Sequence, residues 1–432
     1  MSFDGGSFVT QNKVLPGVYV NVSAENKVSS ELSERGIAAL GLELDWGPSG
    51  EVFYLSASDF RKNSQAYFGY GYASEEMKGL RDLFVRAAGC YFYRLNAGEA
   101  AANALCTAKY GGVRGNDLSI VVSEAEGAFM VATYLDGQEV DAQAVNSAVE
   151  LQDNAYVCWK SDAELTASSG LPLSGGTNLT DVGVDAYQEM LDKLEEVRFN
   201  VLGCLSTDTA VQQLFTNYTR SQRNASAAKF QTVLYRCDAN YEGIISPVNA
   251  VRDACWPESS IVYWLCGAEA ACAVNATLTN SVYDGEFDVI PLVASSELQA
   301  ALQGGKIALH KLGEQLRVLE DVNTLLTVGD GQSEDMKFNQ TMRVLDQIVT
   351  DLSNLFYQKY LGVVLNDSSG RVSLWNDIVS YYRKLEGLHA IESFEASDIA
   401  VKQGDNKKAV VISSYLTVIN AMSQLYLTVT FA

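Results

Sequence analysis

The 432-residue sequence contains only two histidines, His310 and His389. Neither has a cysteine at ligand spacing, so a zinc site is not expected, and neither has a carboxylate partner in sequence to make it a general base. None of the eight cysteines (Cys90, Cys106, Cys158, Cys204, Cys237, Cys255, Cys266 and Cys272) forms a C-x-x-C pair. Most lie in apolar stretches, as in YWLCGAEAACAV, and read as reduced, buried thiols. Basic residues are scarce: 31 Lys and Arg against 53 Asp and Glu give a net charge of −22 and a pI near 4.5. A surface this acidic repels phosphates and anionic bilayers, so neither nucleic acid binding nor membrane insertion is expected. No segment approaches the run of about 18 apolar residues that a spanning helix needs. The start, MSFDGGSFVTQNKVLPG, lacks the basic-then-apolar order of a secretory signal, which leaves a cytoplasm as the expected place of folding.

Catalytic signatures are equally sparse. There is no G-x-S-x-G elbow, no G-x-x-x-x-G-K-[ST] and no G-x-G-x-x-G after a strand. FNVLGCLSTD ends a strand where an α/β fold can place a ligand, but its single Gly203 makes a poor phosphate cradle. Cys204 reads as a buried thiol and Glu195-Glu196 as a pair that faces water or a partner. VGDGQSEDMKFNQ has Asp330, Ser333 and Asp335 near a glycine without calcium-loop order, and reads as a turn into an N-capped helix. No catalytic, metal or cofactor residue is assigned and no cofactor is expected. An α/β enzyme without a recognisable motif is the alternative reading.

What the chain has is length and texture. Hydrophobic residues make up 47% and charged residues 19%, enough for a packed core and for about two to four domains. Residues 1–22 form a polar, Gly-rich arm ending in GVYVNV, where Val18, Val20 and Val22 alternate with Tyr19 and Asn21 in a strand pattern. Residues 23–97 read as the first part of an α/β core, with Met77, Leu80, Leu83, Phe84 and Ala87 at helical spacing. Residues 98–177 are short strands split by turns such as Asp136-Gly137, the pattern of an inserted β-sandwich. Residues 178–330 alternate strand and helix, and FNVLGCL, a helix and FQTVLY predict a parallel pair with a right-handed crossover. Residues 331–420 form an α+β unit. In it Phe338, Met342, Leu345, Val349, Leu352 and Phe356 predict the buried face of a helix over 334–361, and Leu374, Ile378, Tyr381 and Leu385 that of a second. Residues 421–432 are a terminal strand arm with Leu425, Leu427, Val429 and Phe431 opposite Tyr426, Thr428 and Thr430. The expected fold is thus α/β and α+β multidomain: a central mixed sheet with flanking helices, an inserted β-sandwich, and strand arms at both ends.

Several blocks, in order, resemble the tail sheath proteins of contractile phages, defective prophages and phage-tail-like bacteriocins. They are NKVLPGVYVNV, AKYGGVRGNDLSIVV, LSGGTNLTDVGVDAYQEMLDKLEEVRFNVLGC, WLCGAEAACAVNATLTNSVYDGEFDV, LRVLEDVNTLLTV, KYLGVVLNDSSGRVSLWNDIVSYYRKLEGLHAIESF and LYLTVTFA. Cys266 and Glu269 stand where that family more often has small residues. The resemblance implies a structural subunit that polymerises into stacked rings or a helical array around an inner tail tube and contracts to drive the tube through an envelope. Its partners would be other copies of itself, the tube, and baseplate and tail terminator proteins, in a virion tail or tail-like particle assembled in a bacterial cytoplasm. It also implies linkage of subunits by strand addition, through Val18, Tyr19, Val20, Asn21 and Val22 at one end and Leu425, Tyr426, Leu427, Thr428, Val429 and Thr430 at the other. Arg383, Lys384, Lys407 and Lys408 are candidates for the tube-facing surface. Phage and bacteriocin are not separated by the sequence.

Overall fold

The computed structural model describes residues 32–125, 127–225 and 229–431, with the backbone of two short segments before them. Those segments, β1 (Gly5–Gly6) and β2 (Val18–Tyr19), pair in parallel. The expected strand residues Val20, Asn21 and Val22 lie outside the described residues.

The first unit contains β3 (Ile37–Leu42), β4 (Val52–Ser56), helix α1 (Ala57–Phe68), helix α2 (Lys78–Phe84) and β5 (Gly89–Arg94). The chain then makes β6 (Cys106–Ala108), β7 (Leu118–Ala125), β8 (Ala128–Leu135), β9 (Gln138–Val145), β10 (Val157–Trp159) and β11 (Ser168–Pro172). It returns as α3 (Val184–Leu194), β12 (Val201–Cys204), α4 (Thr209–Ala225), β13 (Gln231–Leu234) and β14 (Ile244–Ile245). After α5 (Ile261–Ala271) and α6 (Ser295–Gln303) comes a hairpin of β15 (Leu309–Leu312) and β16 (Gln315–Val318). The last elements are α7 (Asn339–Leu355), α8 (Ser368–Gly387), β17 (Ile399–Gln403) and β18 (Val410–Ser414).

Strands from both sides of the β6–β11 segment build one six-stranded sheet, ordered β14-β13-β12-β3-β5-β4. All neighbours in it run parallel except β4, which is antiparallel to β5. The expected parallel pairing of β12 with β13 across α4 is present. Its central strands are buried on both faces, as parallel strands must be when helices cover them. Alternate side chains supply the two layers. Ala38 and Leu40 join α2 and α5 on one face, and Ala39 and Leu202 join α3 and α4 on the other.

Two glycines let α5 press against its neighbours. A Cβ on Gly203 in β12 would stand 2.5 Å from the Cys266 sulfur, and a Cβ on Gly267 would strike the Leu83 carbonyl of α2. Gly203, weighed and rejected as a phosphate cradle, is therefore a packing residue. It also makes room for Cys266, one of the two positions where the sequence departs from small residues.

The β6–β11 segment has its own hydrophobic cluster, which Trp46 of the first unit joins. Its sheets, β11-β7-β8-β9 and β10-β6, enclose a core that includes Ile120, Val131, Leu135 and Val157. The Asp136-Gly137 turn between β8 and β9 has φ values of 53° and 73°, the left-handed pair that a tight hairpin requires.

In the C-terminal unit, Leu374, Ile378, Tyr381 and Leu385 of α8 are buried as the periodicity predicts. Helix α7 departs from expectation. It spans 339–355, not 334–361: a 3-10 turn (Glu334–Lys337) precedes it and a π turn (Phe356–Tyr360) follows. Its expected apolar face is only partly used, since Val349 is 38% exposed. The side buried against the rest of the chain is largely polar, with Asn339, Arg343, Asp346, Gln347 and Asp351 all inside. These groups find partners in the elements they face, so α7 is wrapped on more sides than a simple amphipathic stripe foretells.

Candidate assembly surfaces

The C-terminal arm leaves the body after a short tie. Val418 bridges Ile391, the Ile419 N–H donates to the Ala390 carbonyl (3.1 Å), and the Ala421 N–H donates to Gln340 Oε1 (3.0 Å). Beyond that point the side chains stand in solvent: Leu425 is 86% exposed, Tyr426 88% and Phe431 93%. The expected strand has no ladder partner among the described residues. A β-strand acquires its hydrogen bonds only from a neighbour, and the described residues do not supply one here. No charged residue follows Lys408 in the sequence, so no ionic side chain holds the arm's apolar residues in water. Large apolar side chains left outside a fold in one continuous segment mark a surface meant to be covered.

A matching vacancy sits in the same unit. Strands β17 and β18 form a two-stranded antiparallel hairpin, from Ile399↔Ser414 to Gln403↔Val410. β17 leans on α8, where the Trp375 Nε1–H donates to the Ile399 carbonyl (3.0 Å). β18 is the outer strand, with Val411, Ile412, Ser413 and Ser414 all exposed. Its outer edge carries no backbone ladder among the described residues. Such an edge is a template for an added strand.

The four basic candidates are exposed but do not gather. Arg383 and Lys384 lie near the end of α8. Lys407 and Lys408 occupy the β17–β18 turn, which Asn366 holds beside the start of α8 by donating to the Lys407 and Ala409 carbonyls. The two pairs are separated by roughly 20 Å of helix. Charge is distributed unevenly on a larger scale. Residues 331–432 carry nine Lys and Arg against eleven Asp and Glu, a net of −2 out of the chain's −22.

The residues considered for chemistry are not brought together. His310 lies on β15 opposite Arg317, and His389 sits in a left-handed turn (φ 58°) after α8. Cys204 is buried, and desolvation pushes its thiol up to about 12, away from a nucleophile's range. Ser333 accepts from the Asp335 N–H (3.1 Å) ahead of α7, as a turn and not a calcium loop. No group of three or more His, Cys, Asp or Glu residues placed to hold a metal occurs among the described residues. None of the described helices is long and apolar enough to cross a membrane.

The structure adds a cluster that sequence reasoning missed. Arg343 of α7 donates through Nη2 to Glu269 (2.7 Å) and Asp321 (3.0 Å), and through Nη1 to the Ala276 carbonyl (2.7 Å). Asn339 Nδ2 donates to Asp321 (2.8 Å), and Arg223 pairs with Asp346 (2.6 Å). Each of these groups is buried. The signal was the charge inside two apolar stretches: Glu269 in WLCGAEAAC and Asp321 in LRVLEDVNTLL. Together they clamp α7, and with it the hairpin and arm, to the core sheet's helices.

Comparison with known proteins accounts for this layout. Three sequence profiles match: the phage tail sheath protein β-sandwich domain over residues 96–178, the central domain over 180–324 and the C-terminal domain over 331–432. The crystal structure of a sheath tail protein from Desulfitobacterium hafniense is 32% identical and superposes with a TM-score of 0.82, covering 94% of this chain and 97% of that one. The phage-like element PBSX protein XkdK of Bacillus subtilis is 26% identical over 99% of both chains. The helical sheath of the anti-feeding prophage in its contracted state shares the fold alone, at 13% identity and a TM-score of 0.58, over 97% of this chain and 99% of that one. Buried core, appended sandwich, exposed terminal arm and matching profiles converge: the chain belongs to the phage tail sheath protein family.

Proposed function

We propose that copies of this chain polymerise into a contractile sheath by exchanging arms, and that the sheath surrounds an inner tube and drives it through an envelope on contraction. The observation that carries this reading is the uncharged, exposed arm beyond Ala421, set beside the open edge of β18 in the same unit. An arm too poor in partners at home completes a sheet abroad, where its backbone gains a ladder and its apolar face gains cover. The tether formed by Ile419 and Ala421 anchors the arm to the body yet leaves the residues beyond it able to follow a rotating neighbour. The other end, around Val18 to Val22, would serve a further copy in the same way. Contraction then needs only that the contracted array bury more surface than the extended one, so a nucleotide site is not required. Contacts to the tube would come from exposed side chains that water can readily replace, among them Arg383, Lys384 and Lys407. Baseplate and terminator proteins would bind the two ends of the array, in a phage tail or tail-like particle assembled in the host cytoplasm. The chain's role is mechanical and not enzymatic.

Removing residues 425–432 tests the arm. The truncated protein is expected to remain folded, with unchanged circular dichroism and melting, and to stay monomeric at concentrations where the full chain forms tubes seen by electron microscopy. Ordered tubes from the truncated chain would overturn the proposal.

A further inference from the structure

The polar groups that α7 buries include a row along one face, and with Thr341 this row grips two separate passages of the chain. Gln340, Arg343, Gln347 and Asp351 recur at steps of three, four and four, which aligns them on one side of a helix. At the start of the row, Gln340 Nε2 donates to the Ile419 carbonyl (3.2 Å) and its Oε1 accepts from the Ala421 N–H, while the Thr341 hydroxyl donates to Asn420 Oδ1 (3.1 Å). At its end, Asp351 accepts from the Ser33 N–H (3.0 Å) and from the Ser33 hydroxyl, and Gln347 Nε2 donates to the Ser33 carbonyl (3.1 Å). Between the two grips, Arg343 pins the helix to Glu269 and Asp321. Buried polar groups are costly unless paired, and apolar side chains of like volume can pack a helix as well or better. What the polar row adds is direction. A hydrogen bond holds a passing segment at one residue, whereas apolar contact is non-directional and lets it slide.

We propose that α7 is a tie-bar between the roots of the two arms: a pull on either arm meets this helix before it meets the core sheet, and passes along it to the other arm. The inference rests on the arm-exchange reading and states how load crosses a single copy. The order of the chain carries it. Ser33 lies upstream of β3, ahead of the Gly36 and Ile37 N–H groups that donate to Asn200 Oδ1 (3.0 Å each). Tension on the segment before Ser33 therefore reaches Asp351 and Gln347 first, and β3 only after those bonds part. Asn420 and Ala421 lie beyond β18 and beyond the bridge between Val418 and Ile391. Tension from the other arm likewise reaches Gln340 and Thr341 before the hairpin. The grips at Gln340 and Asp351 stand about 16 Å apart on a continuous helix, so its rise fixes the separation of the two roots. Asp351 also accepts from the Tyr381 hydroxyl of α8 (2.9 Å), which braces the grip on Ser33. Copies linked in this way can turn against one another while each keeps its core sheet out of the line of tension.

Pulling on single molecules tests the tie-bar in the free chain, where assembly plays no part. The full chain is held by its two ends in an optical trap at constant force, and the waiting time before the first rupture is recorded. Gln340→Ala and Asp351→Ala each remove a grip from the helix side and should shorten that time roughly tenfold. Ser33→Ala and Asn420→Ala remove one side-chain bond each from the passing segments, leave the helix untouched and should shorten it roughly threefold. They keep the test decisive if the helix variants fail to fold. Gly267→Ala, which disturbs the packing of α5 away from both grips, should lower the melting temperature yet leave the waiting time unchanged. A waiting time that the grip variants do not alter, or that Gly267→Ala shortens as much as they do, overturns the tie-bar and leaves arm exchange standing. Tubes from the chain lacking residues 425–432 sink arm exchange whatever the trap reads.

Discussion

Replacing Arg343 with methionine removes the only positive charge hydrogen-bonded to the carboxyl groups of Glu269 and Asp321 among the described residues, and the geometry sets the expected cost. The arginine is buried, as are both carboxyl groups, and its Nη2 bridges them at 2.7 and 3.0 Å. Methionine fills much of the space but leaves two acids facing each other without the cation that bridges their carboxyl groups. Breaking a buried pair from one side costs about 3–5 kcal/mol, against the near-neutral outcome of replacing all partners together. For a 432-residue chain that corresponds to a fall in melting temperature of roughly 3–6 °C, measurable by differential scanning calorimetry. The acids are not equivalent. Burial and then the neighbouring Asp321 push the Glu269 carboxyl up to about 8, with Arg343 pulling the other way. Burial would raise Asp321 too, but Arg343, the hydrogen bond with Glu269 and the Leu278 N–H hold it below its usual value. The folded protein therefore keeps a proton on Glu269 at pH values where the unfolded chain has lost it. Its contribution to stability is complete below about pH 4.5 and is lost progressively as pH rises to about 8. Glu269→Gln replaces a neutral acid with a neutral amide, so it should cost far less than Arg343→Met at pH 7 and should flatten the decline between about pH 5 and 8. An Arg343→Met protein within about 1 kcal/mol of wild type, or a Glu269→Gln protein that loses stability with pH in parallel with wild type, would refute this reasoning.

Two further outcomes follow from packing. Gly267→Ala should destabilise by about 1–3 kcal/mol in thermal unfolding, although alanine is the better helix former by about 1 kcal/mol, because the added methyl meets the Leu83 carbonyl. A raised melting temperature would show that α2 and α5 can separate freely. Thiol labelling of the native chain should show a single fast site, Cys255, since the other cysteines are buried or half-buried; Cys255→Ser should abolish that fast phase.

The sequence was most readable where one physical rule acted alone. The Asp136-Gly137 turn and the strand–helix–strand run through β12, α4 and β13 each follow from a local pattern, and the mixed α/β class follows from the order of such elements. Helix α8, with one face inward, obeyed its periodicity for the same reason. Helix α7 did not, because Arg343, Asp346 and Asp351 are bound by partners distant in sequence, such as Glu269 and Arg223, that no local pattern reveals. The same limit applied to surfaces. The apolar arm was legible from composition, whereas the open edge of β18 depends on how Asn366 seats the α7–α8 connection. Arg383, Lys384, Lys407 and Lys408 looked alike as surface cations, and only the fold shows that α8 holds the two pairs apart.

The absence of charge beyond Lys408 has a consequence for how an assembled array responds to its medium. Bodies carrying almost all of the −22 repel one another, and that repulsion weakens as salt screens it. Joints of the kind proposed above, made from a neutral arm and backbone hydrogen bonds, would be indifferent to the same change. Ionic strength would thus alter the spacing and tension between subunits while leaving the links between them intact, a lattice of fixed hinges with adjustable springs.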